Sequence, residues 1–284
     1  MPTSLTVRPL TAPEFNARVV PALSVREAEN GLPLGIAQRL ALQPEAAVGA
    51  LLLGVESAGT IVGAAVWTPP HDIVVTRLPE GAAARIATEC ARSGWAITGA
   101  SGPEGHGLEL AEQLAGLSKA AVRLRLRQRV YQLTSVNPVP RASGAMRRAS
   151  TPADVDLVAR WYAEFAEEAR LAHPMGPRDW ASATIASGSA FLWEDATAGC
   201  LACLSRETPN GRAIGPVYTP PAARRHGYAT SLVAQLSQDV LTSGKRFACL
   251  FTDDANPTSN HIYESIGFCF ICRYDAYSLV PRVE

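Results

Sequence analysis

Two short segments carry residue types whose spacing suits chemistry. The first is Arg224-Arg225-His226-Gly227-Tyr228-Ala229-Thr230, shortly after an apolar run that ends Val217-Tyr218-Thr219. If that run is a strand and Tyr228 opens a helix, the first N–H groups of the helix lack internal partners and stand at the positive end of its dipole. Three consecutive side chains that are or can become cationic lie beside them. Gly227 lets the backbone approach a ligand closely, and Ala229 keeps the first turn small. Such a place suits an anion, above all a pyrophosphate. It is not a Walker loop, because the Gly-Lys-Ser/Thr ending is missing. Taken alone, the segment reads equally as a plain strand–turn–helix with surface arginines. The second segment begins at Asn256-Pro257. Asn256, Asn260 and Tyr263 follow at i, i+4 and i+7, on one face of a helix that Gly267-Phe268 stops. A phenol has a reference pKa of about 10 and a thiol about 8.5, so a tyrosine beside a leaving thiolate serves as a general acid that recovers its proton from water.

The elements that must position these residues alternate along the chain. In the second half the pattern predicts a strand at Met146–Ala149 and a helix opened by Thr151-Pro152. That helix carries Val155, Val158, Trp161, Tyr162 and Phe165 at helical spacing. A helix at Arg178–Ala186 follows, then strands Phe191–Glu194 and Leu201–Arg206 around a turn at Ala198-Gly199. Strand Ala213–Thr219, helix Tyr228–Leu241, strand Phe247–Thr252, helix Pro257–Ile266 and two final strands complete the half. The first half gives a comparable series: strand Leu5–Arg8, helices Ala12–Val20 and Gly35–Leu42, and strands Leu51–Glu56, Ile61–Trp67 and Ile73–Arg77. Helix Gly81–Arg92, strand Trp95–Thr98, helix Pro103–Ala115 and strands through Val122–Leu133 follow. Between the halves, Thr134–Ala145 holds two prolines and a glycine among small polar residues, as a linker does. The expected organisation is an α/β or α+β domain built twice, over residues 1–140 and 141–284.

Composition narrows the function classes. The chain has 284 residues, 47% of them apolar, which is ample for packed cores. Twenty-six basic and 26 acidic residues give no net charge, so the footprint of a dedicated nucleic-acid binder is missing. No apolar run reaches membrane-spanning length, and the first fifteen residues lack a secretion pattern, so the expected location is the cytoplasm. Cys200/Cys203 and Cys269/Cys272 are each spaced Cys-x-x-Cys, yet both segments read as strands, where i and i+3 face opposite ways. Buried reduced thiols, rather than a metal site, are expected.

Arg224-x-x-Gly227-x-Ala229 after a strand, with Asn256…Tyr263…Gly267-Phe268 downstream, resembles the signature of the GNAT superfamily of acyl-CoA-dependent N-acyltransferases, in order and spacing from Met146 to about Leu279. The resemblance implies two tandem domains, each a mixed, mostly antiparallel sheet flanked by helices. It implies acetyl-CoA as co-substrate, no metal, and a small-molecule or peptide amine as acceptor, leaving longer acyl donors open. The strand Val217, Tyr218, Thr219 would splay from its neighbour and offer backbone groups to the pantetheine arm. Arg224, Arg225, His226, Gly227, Tyr228, Ala229 and Thr230 would wrap the pyrophosphate, and Asn256 and Asn260 would bond the pantetheine amides. Tyr263 would protonate the coenzyme A thiolate. One departure is plain: many members carry a glutamate on the strand before the loop, and Ile214-Gly215-Pro216-Val217-Tyr218 has no carboxylate. The base is then open among Glu164, Glu167, Glu168, Asp253, Asp254 and water. Trp161, Tyr162, Phe165 and the glutamates either form an acidic, aromatic pocket for a cationic amine, or are core and a solvated face.

The first half resembles the same fold with its signature removed, since Leu78-Pro79-Glu80-Gly81 replaces the loop and the helix from Pro103 has no tyrosine. Gly99–Gly107 reads as a flexible connection with His106 exposed. Val122–Val130 alternates so that Arg123, Arg125, Arg127 and Arg129 share one face, the pattern of an exposed or edge strand protected by charge. Two other functions compete: a coenzyme A-binding or scaffold protein whose catalysis has lapsed, and nucleic-acid binding through that arginine stripe. The oligomeric state is left open.

Overall fold

Thr11 and Thr151 start the same kind of helix in each half. Each threonine accepts a hydrogen bond from the backbone N–H three residues on, and the acidic side chain there, Glu14 or Asp154, reaches back to the threonine N–H. A proline in the first turn of each has no N–H to leave unpaired. Asp154 is only 3% exposed and also accepts both terminal nitrogens of Arg147, at 2.9 and 2.8 Å. The arginine holds its carboxyl well below the usual carboxylate range.

The structure, a computed structural model, describes residues 5–43, 45, 48–170 and 175–282. The first pass of elements is β1 (Leu5–Pro9), α1 (Ala12–Leu23), α2 (Gly31–Leu42), β2 (Leu51–Ser57), β3 (Thr60–Trp67), β4 (Ile73–Val75), α3 (Ala82–Arg92), β5 (Gly99–Pro103), α4 (His106–Ser118) and β6 (Ala120–Leu133). The second repeats that order: β7 (Ala145–Arg148), α5 (Pro152–Glu168), α6 (Pro177–Ala186), β8 (Ala190–Glu194), β9 (Ala198–Glu207), β10 (Gly211–Tyr218), α7 (Tyr228–Thr242), β11 (Phe247–Asp253), α8 (Pro257–Ile266) and β12 (Cys269–Pro281). Among the described residues no helix is long and apolar enough to cross a membrane.

The chain forms two units: Met1–Val130 with Glu207–Pro209 and Ile271–Glu284, and Tyr131–Arg206 with Asn210–Phe270. In the first the strand order is β1-β2-β3-β4-β5-β12-β6; in the second the tip of β6 is followed by β11-β10-β9-β8-β7. Each sheet is mixed and mostly antiparallel, and each includes a parallel pair, β4 with β5 or β10 with β11. Side chains alternate between two apolar clusters on the faces of the second sheet. Along β9, Cys200 and Ala202 join one cluster and Leu201 and Cys203 the other, so the two cysteines face apart as their spacing requires. Trp193 is 1% exposed and still satisfies its Nε1, which donates to the Ser143 carbonyl at 2.8 Å. Full burial of one such side chain contributes about 1.5–3 kcal/mol.

Several expected elements change. The strand expected at Trp95–Thr98 is instead β5, and two glycines of the expected flexible connection, Gly99 and Gly102, are buried in it. They serve close approach: a Cβ on Gly99 would lie 2.5 Å from the Tyr277 carbonyl oxygen, and one on Gly102 would lie 2.6 Å from Val75 Cγ2. Trp95 meets Trp67 edge-on, with ring centroids 4.6 Å apart. His106 is half-buried rather than exposed; its Nδ1 accepts from the Leu78 N–H at 3.4 Å, and burial, with Arg77 nearby, lowers its pKa. The turn expected at Ala198-Gly199 falls at 195–197, because Gly199 lies inside β9 beneath the Tyr228 ring. The two final strands are one, β12. Along β6, Arg125 bonds Asp72 and Arg127 lies 3.6 Å from Asp275, so acids of the same unit meet part of the arginine stripe.

Candidate functional site

The site is built where β10 and β11 stop pairing. Their parallel ladder joins Gly211, Arg212 and Ala213 to Phe247, Ala248 and Cys249, while β10 runs on to Tyr218 and β11 to Asp253. Gly215 sits at φ +149°, and Pro216 has no N–H to give to a ladder, so local chemistry favours the separation. Val217, Tyr218 and Thr219 therefore lie beyond the paired stretch.

The chain then makes a turn of 3₁₀ helix at Pro221–Ala223 and enters α7 through two left-handed residues, Arg225 at φ +69° and Gly227 at +77°. At Gly227 the conformation rather than crowding calls for glycine, since the nearest atom to an added Cβ would be 3.8 Å away. The first turn of α7 leaves the N–H groups of Tyr228, Ala229 and Thr230 without partners inside the helix. Ser231 Oγ, one residue on, accepts the Ala142 N–H at 2.8 Å. Tyr228 lies across Gly199 and donates to Asp195 at 3.2 Å, and His226 stacks on it with centroids 5.4 Å apart.

The two arginines differ. Arg224 Nη2 bonds both carboxylate oxygens of Glu168, at 2.7 and 2.9 Å, and its Nε donates to the Thr219 carbonyl at 2.9 Å. Arg225 is exposed and, among the described residues, has no ion pair.

On α8, Asn260 and Tyr263 are buried and Asn256 is exposed. The Asn256 side chain accepts the Ser259 N–H at 3.0 Å as helix cap. Both ends of the Asn260 amide are engaged, Oδ1 by Thr252 Oγ1 at 2.9 Å and Nδ2 by the carbonyls of Asp253 and Asp254 at 3.4 and 3.5 Å. Tyr263 packs edge-on to Phe268, with centroids 5.9 Å apart. Among the described residues its hydroxyl has no hydrogen-bond partner, and burial pushes the phenol above its ordinary range. Cys200 lies close by in the same cluster; burial pushes its thiol up to about 12, and it accepts from Thr219 Oγ1 at 3.2 Å.

A cleft of about 830 Å³ opens between α5 and the residues after β10. Trp161, Glu164, Glu167, Glu168 and Tyr218 line it, whereas Phe165 packs into the cluster beneath and Tyr162 stacks on Trp180, with centroids 3.7 Å apart. The Tyr218 hydroxyl lies 3.4 Å from Glu168, and burial, the hydrogen bond to Glu164 and the charge of Glu168 raise it to about 12. Sequence reasoning had no signal for the links of Arg224 to Glu168 and of Tyr228 to Asp195, because the partners stand far apart in the chain.

Among the described residues, the first unit has no counterpart of the arginine-rich loop. Gly102 of β5 closes on Val75 of β4, and Gly81, at φ +77°, caps α3 directly after the short Leu78-Pro79-Glu80 segment.

This is the fold of the GNAT acetyltransferases, present twice. The family model described as FR47-like protein matches residues 197–276, which include the loop, α7, α8 and the cleft side of β9. Among solved structures, a GCN5-related N-acetyltransferase from Sphaerobacter thermophilus is 15% identical with a TM-score of 0.61, covering 99% of this chain and 97% of its own. A tandem GNAT protein from the clavulanic acid biosynthesis pathway is 17% identical, with a TM-score of 0.59 and coverage of 99% and 100%. A GNAT-family acetyltransferase from Colwellia psychrerythraea is 13% identical, with a TM-score of 0.55 and coverage of 98% and 100%. No curated protein shows significant sequence similarity to the chain.

Proposed function

We propose that the chain is an acetyl-CoA-dependent N-acetyltransferase for a primary amine, carried by a small molecule or a peptide. Its one competent site lies in residues 141–284, and residues 1–140 form a degenerate copy. The observation that carries this reading is the separation of β10 from β11 beyond Ala213, next to the open N-terminus of α7. In it, backbone groups of Val217, Tyr218 and Thr219 pair with the pantetheine arm. The amides of Gly227, Tyr228, Ala229 and Thr230 hold the pyrophosphate, with Arg225 and His226 adding charge and Arg224 joining only on leaving Glu168. Asn256 and Asn260 shape the pantetheine side through the helix they cap and brace.

The amine occupies the cleft beside α5. Glu168 is engaged by Arg224, and Asp253 Oδ1 accepts the Ala255 N–H, whereas Glu164 faces the cleft and the Tyr218 hydroxyl. Glu164 takes the ammonium proton and passes it to water. The nitrogen lone pair attacks the thioester carbonyl, the C–N bond forms as C–S breaks, Tyr263 hydrogen-bonds and protonates the departing sulfur, and the second proton, which the nitrogen loses on becoming an amide, passes through water to restore the phenol. Desolvation raises phenol and thiolate alike, so the difference between their pKa values sets the proton transfer. Positioning of amine and thioester supplies much of the rate.

Calorimetric titration with acetyl-CoA, beside a Gly227→Asp variant, tests the reading. One equivalent bound by the parent chain and none by the variant is the expected result; no binding by the parent overturns it. Binding without amine-dependent release of coenzyme A favours the lapsed enzyme, which the lack of a carboxylate on Ile214–Tyr218 also allows.

A further inference from the structure

The cleft of the second unit already holds a cation, and the chain itself supplies it. Arg224 Nη2 bonds both Glu168 oxygens, at 2.7 and 2.9 Å, and the guanidinium carbon lies 6.0 Å from the centre of the Tyr218 ring. Glu168 and Tyr218 both line the cleft, and the Tyr218 hydroxyl lies 3.4 Å from Glu168. A carboxylate beside an aromatic ring suits an organic cation, the first by its charge and the second by its electron-rich face. The rest of the lining favours the same sign. Glu164 and Glu167 flank the site on α5 with Trp161 beside them, and neither glutamate has an ion pair among the described residues.

The hold on Arg224 is loose. Both side chains of the pair are about half-exposed. In the first unit Arg77 meets Glu29 through two nitrogens, at 2.8 and 3.0 Å, and that carboxylate is only 4% exposed. A buried pair of that kind stays fixed, whereas an exposed one exchanges partners readily. Arg224 also stands three residues before Gly227, where the open amides of α7 begin. A pyrophosphate held on those amides competes with Glu168 for the guanidinium.

We propose that Arg224 is an internal stand-in for the acceptor. The donor's pyrophosphate draws the guanidinium from Glu168 and Tyr218, and the alkylammonium group of the acceptor takes its place. The acceptor class is then an alkyl amine that arrives protonated, held by Glu168 before Glu164 takes its proton. Donor and acceptor each raise the affinity for the other, a coupling that rests on the acetyl-CoA site proposed above.

The test uses coenzyme A, which carries the pyrophosphate but no acyl group, so no turnover intervenes. The full chain is titrated calorimetrically with butylguanidinium, which copies the arginine side chain, with butylammonium and with neutral butan-1-ol, each alone and at saturating coenzyme A. One or both cations bind, and coenzyme A tightens them by up to about fivefold, the limit that an exposed pair sets. Butan-1-ol shows no such gain. Pantetheine, the arm without the pyrophosphate, produces none either. Arg224→Gln binds the cations without coenzyme A as tightly as the parent does with it, and Glu168→Gln loses the gain. No cation binding at millimolar concentration, equal affinity with and without coenzyme A, or the same gain from pantetheine would overturn the inference while coenzyme A binding stands. A parent chain that does not bind coenzyme A would overturn the acetyl-CoA reading and the coupling together.

Discussion

Glu168 at the end of α5 and Arg224 at the head of the anion loop are joined through a single guanidinium nitrogen that bonds both carboxylate oxygens, at 2.7 and 2.9 Å. The same carboxylate lines the cleft, so it stands between the two places that a donor and an acceptor would occupy. Both side chains are about half-exposed, which limits the pair to ~1 kcal/mol or less.

Glu168→Gln releases Arg224 toward an arriving pyrophosphate. Acetyl-CoA affinity should rise a few-fold, up to the roughly fivefold that 1 kcal/mol allows, and the gain should fade in high salt. Calorimetry on the variant and parent reads this directly; weaker binding would mean that the pair positions the loop rather than restrains it.

Tyr263→Phe keeps the ring against Phe268 and deletes only the hydroxyl. Turnover should fall by roughly 10²–10⁴-fold with acetyl-CoA binding nearly intact. Coenzyme A release in the presence of an accepted amine measures the first and titration the second. Unchanged turnover would remove Tyr263 from the mechanism.

Gly199→Ala places a Cβ 2.6 Å from the Tyr228 ring. The ring must move, which strains its bond to Asp195 at the start of α7. A loss of about 1–3 kcal/mol in unfolding free energy is expected, together with weaker acetyl-CoA binding; denaturant titration and calorimetry check the two parts.

Acid should unfold the second unit partly through Asp154. Its folded pKa is depressed by Arg147, so its contribution is full above the ordinary carboxylate range near pH 4 and is lost as pH falls toward the folded value. Asp154→Asn should lower the stability at neutral pH by about 2–4 kcal/mol and flatten the acid limb of the stability curve. A variant with the parent's acid limb would contradict this.

Of the six cysteines, only Cys269 is exposed. Burial pushes the thiols of Cys90, Cys200 and Cys272 up to about 12. A thiol reagent at neutral pH should therefore titrate one cysteine quickly in the folded chain and the rest only on unfolding. Fast reaction of more than one would show that the clusters open readily.

Legibility in the sequence followed how local the physics was. Helix starts at Thr11 and Thr151 rest on bonds within four residues and were readable, as were the loop and α8, whose residue types and spacing act locally. Gly99, Gly102 and Gly199 were misread because a glycine signals a turn, and the tyrosine or valine that makes it a point of close approach lies far along the chain. The engagement of Arg224 by Glu168 and of Asn260 by Thr252 was invisible for the same reason. A sequence shows which charges and amides exist, and only the fold shows which are already paired.

The position of β12 also bears on biosynthesis. The antiparallel partner of Gly99–Pro103 is Tyr274–Ser278, so the first unit lacks an interior strand until more than half the chain has been made after β5. At translation rates of about 5–20 residues per second, that delay is on the order of ten seconds or more. Throughout it, β5 offers an unpaired edge to solvent and to other nascent chains. That edge stays open through most of the synthesis of the chain and closes only near its end.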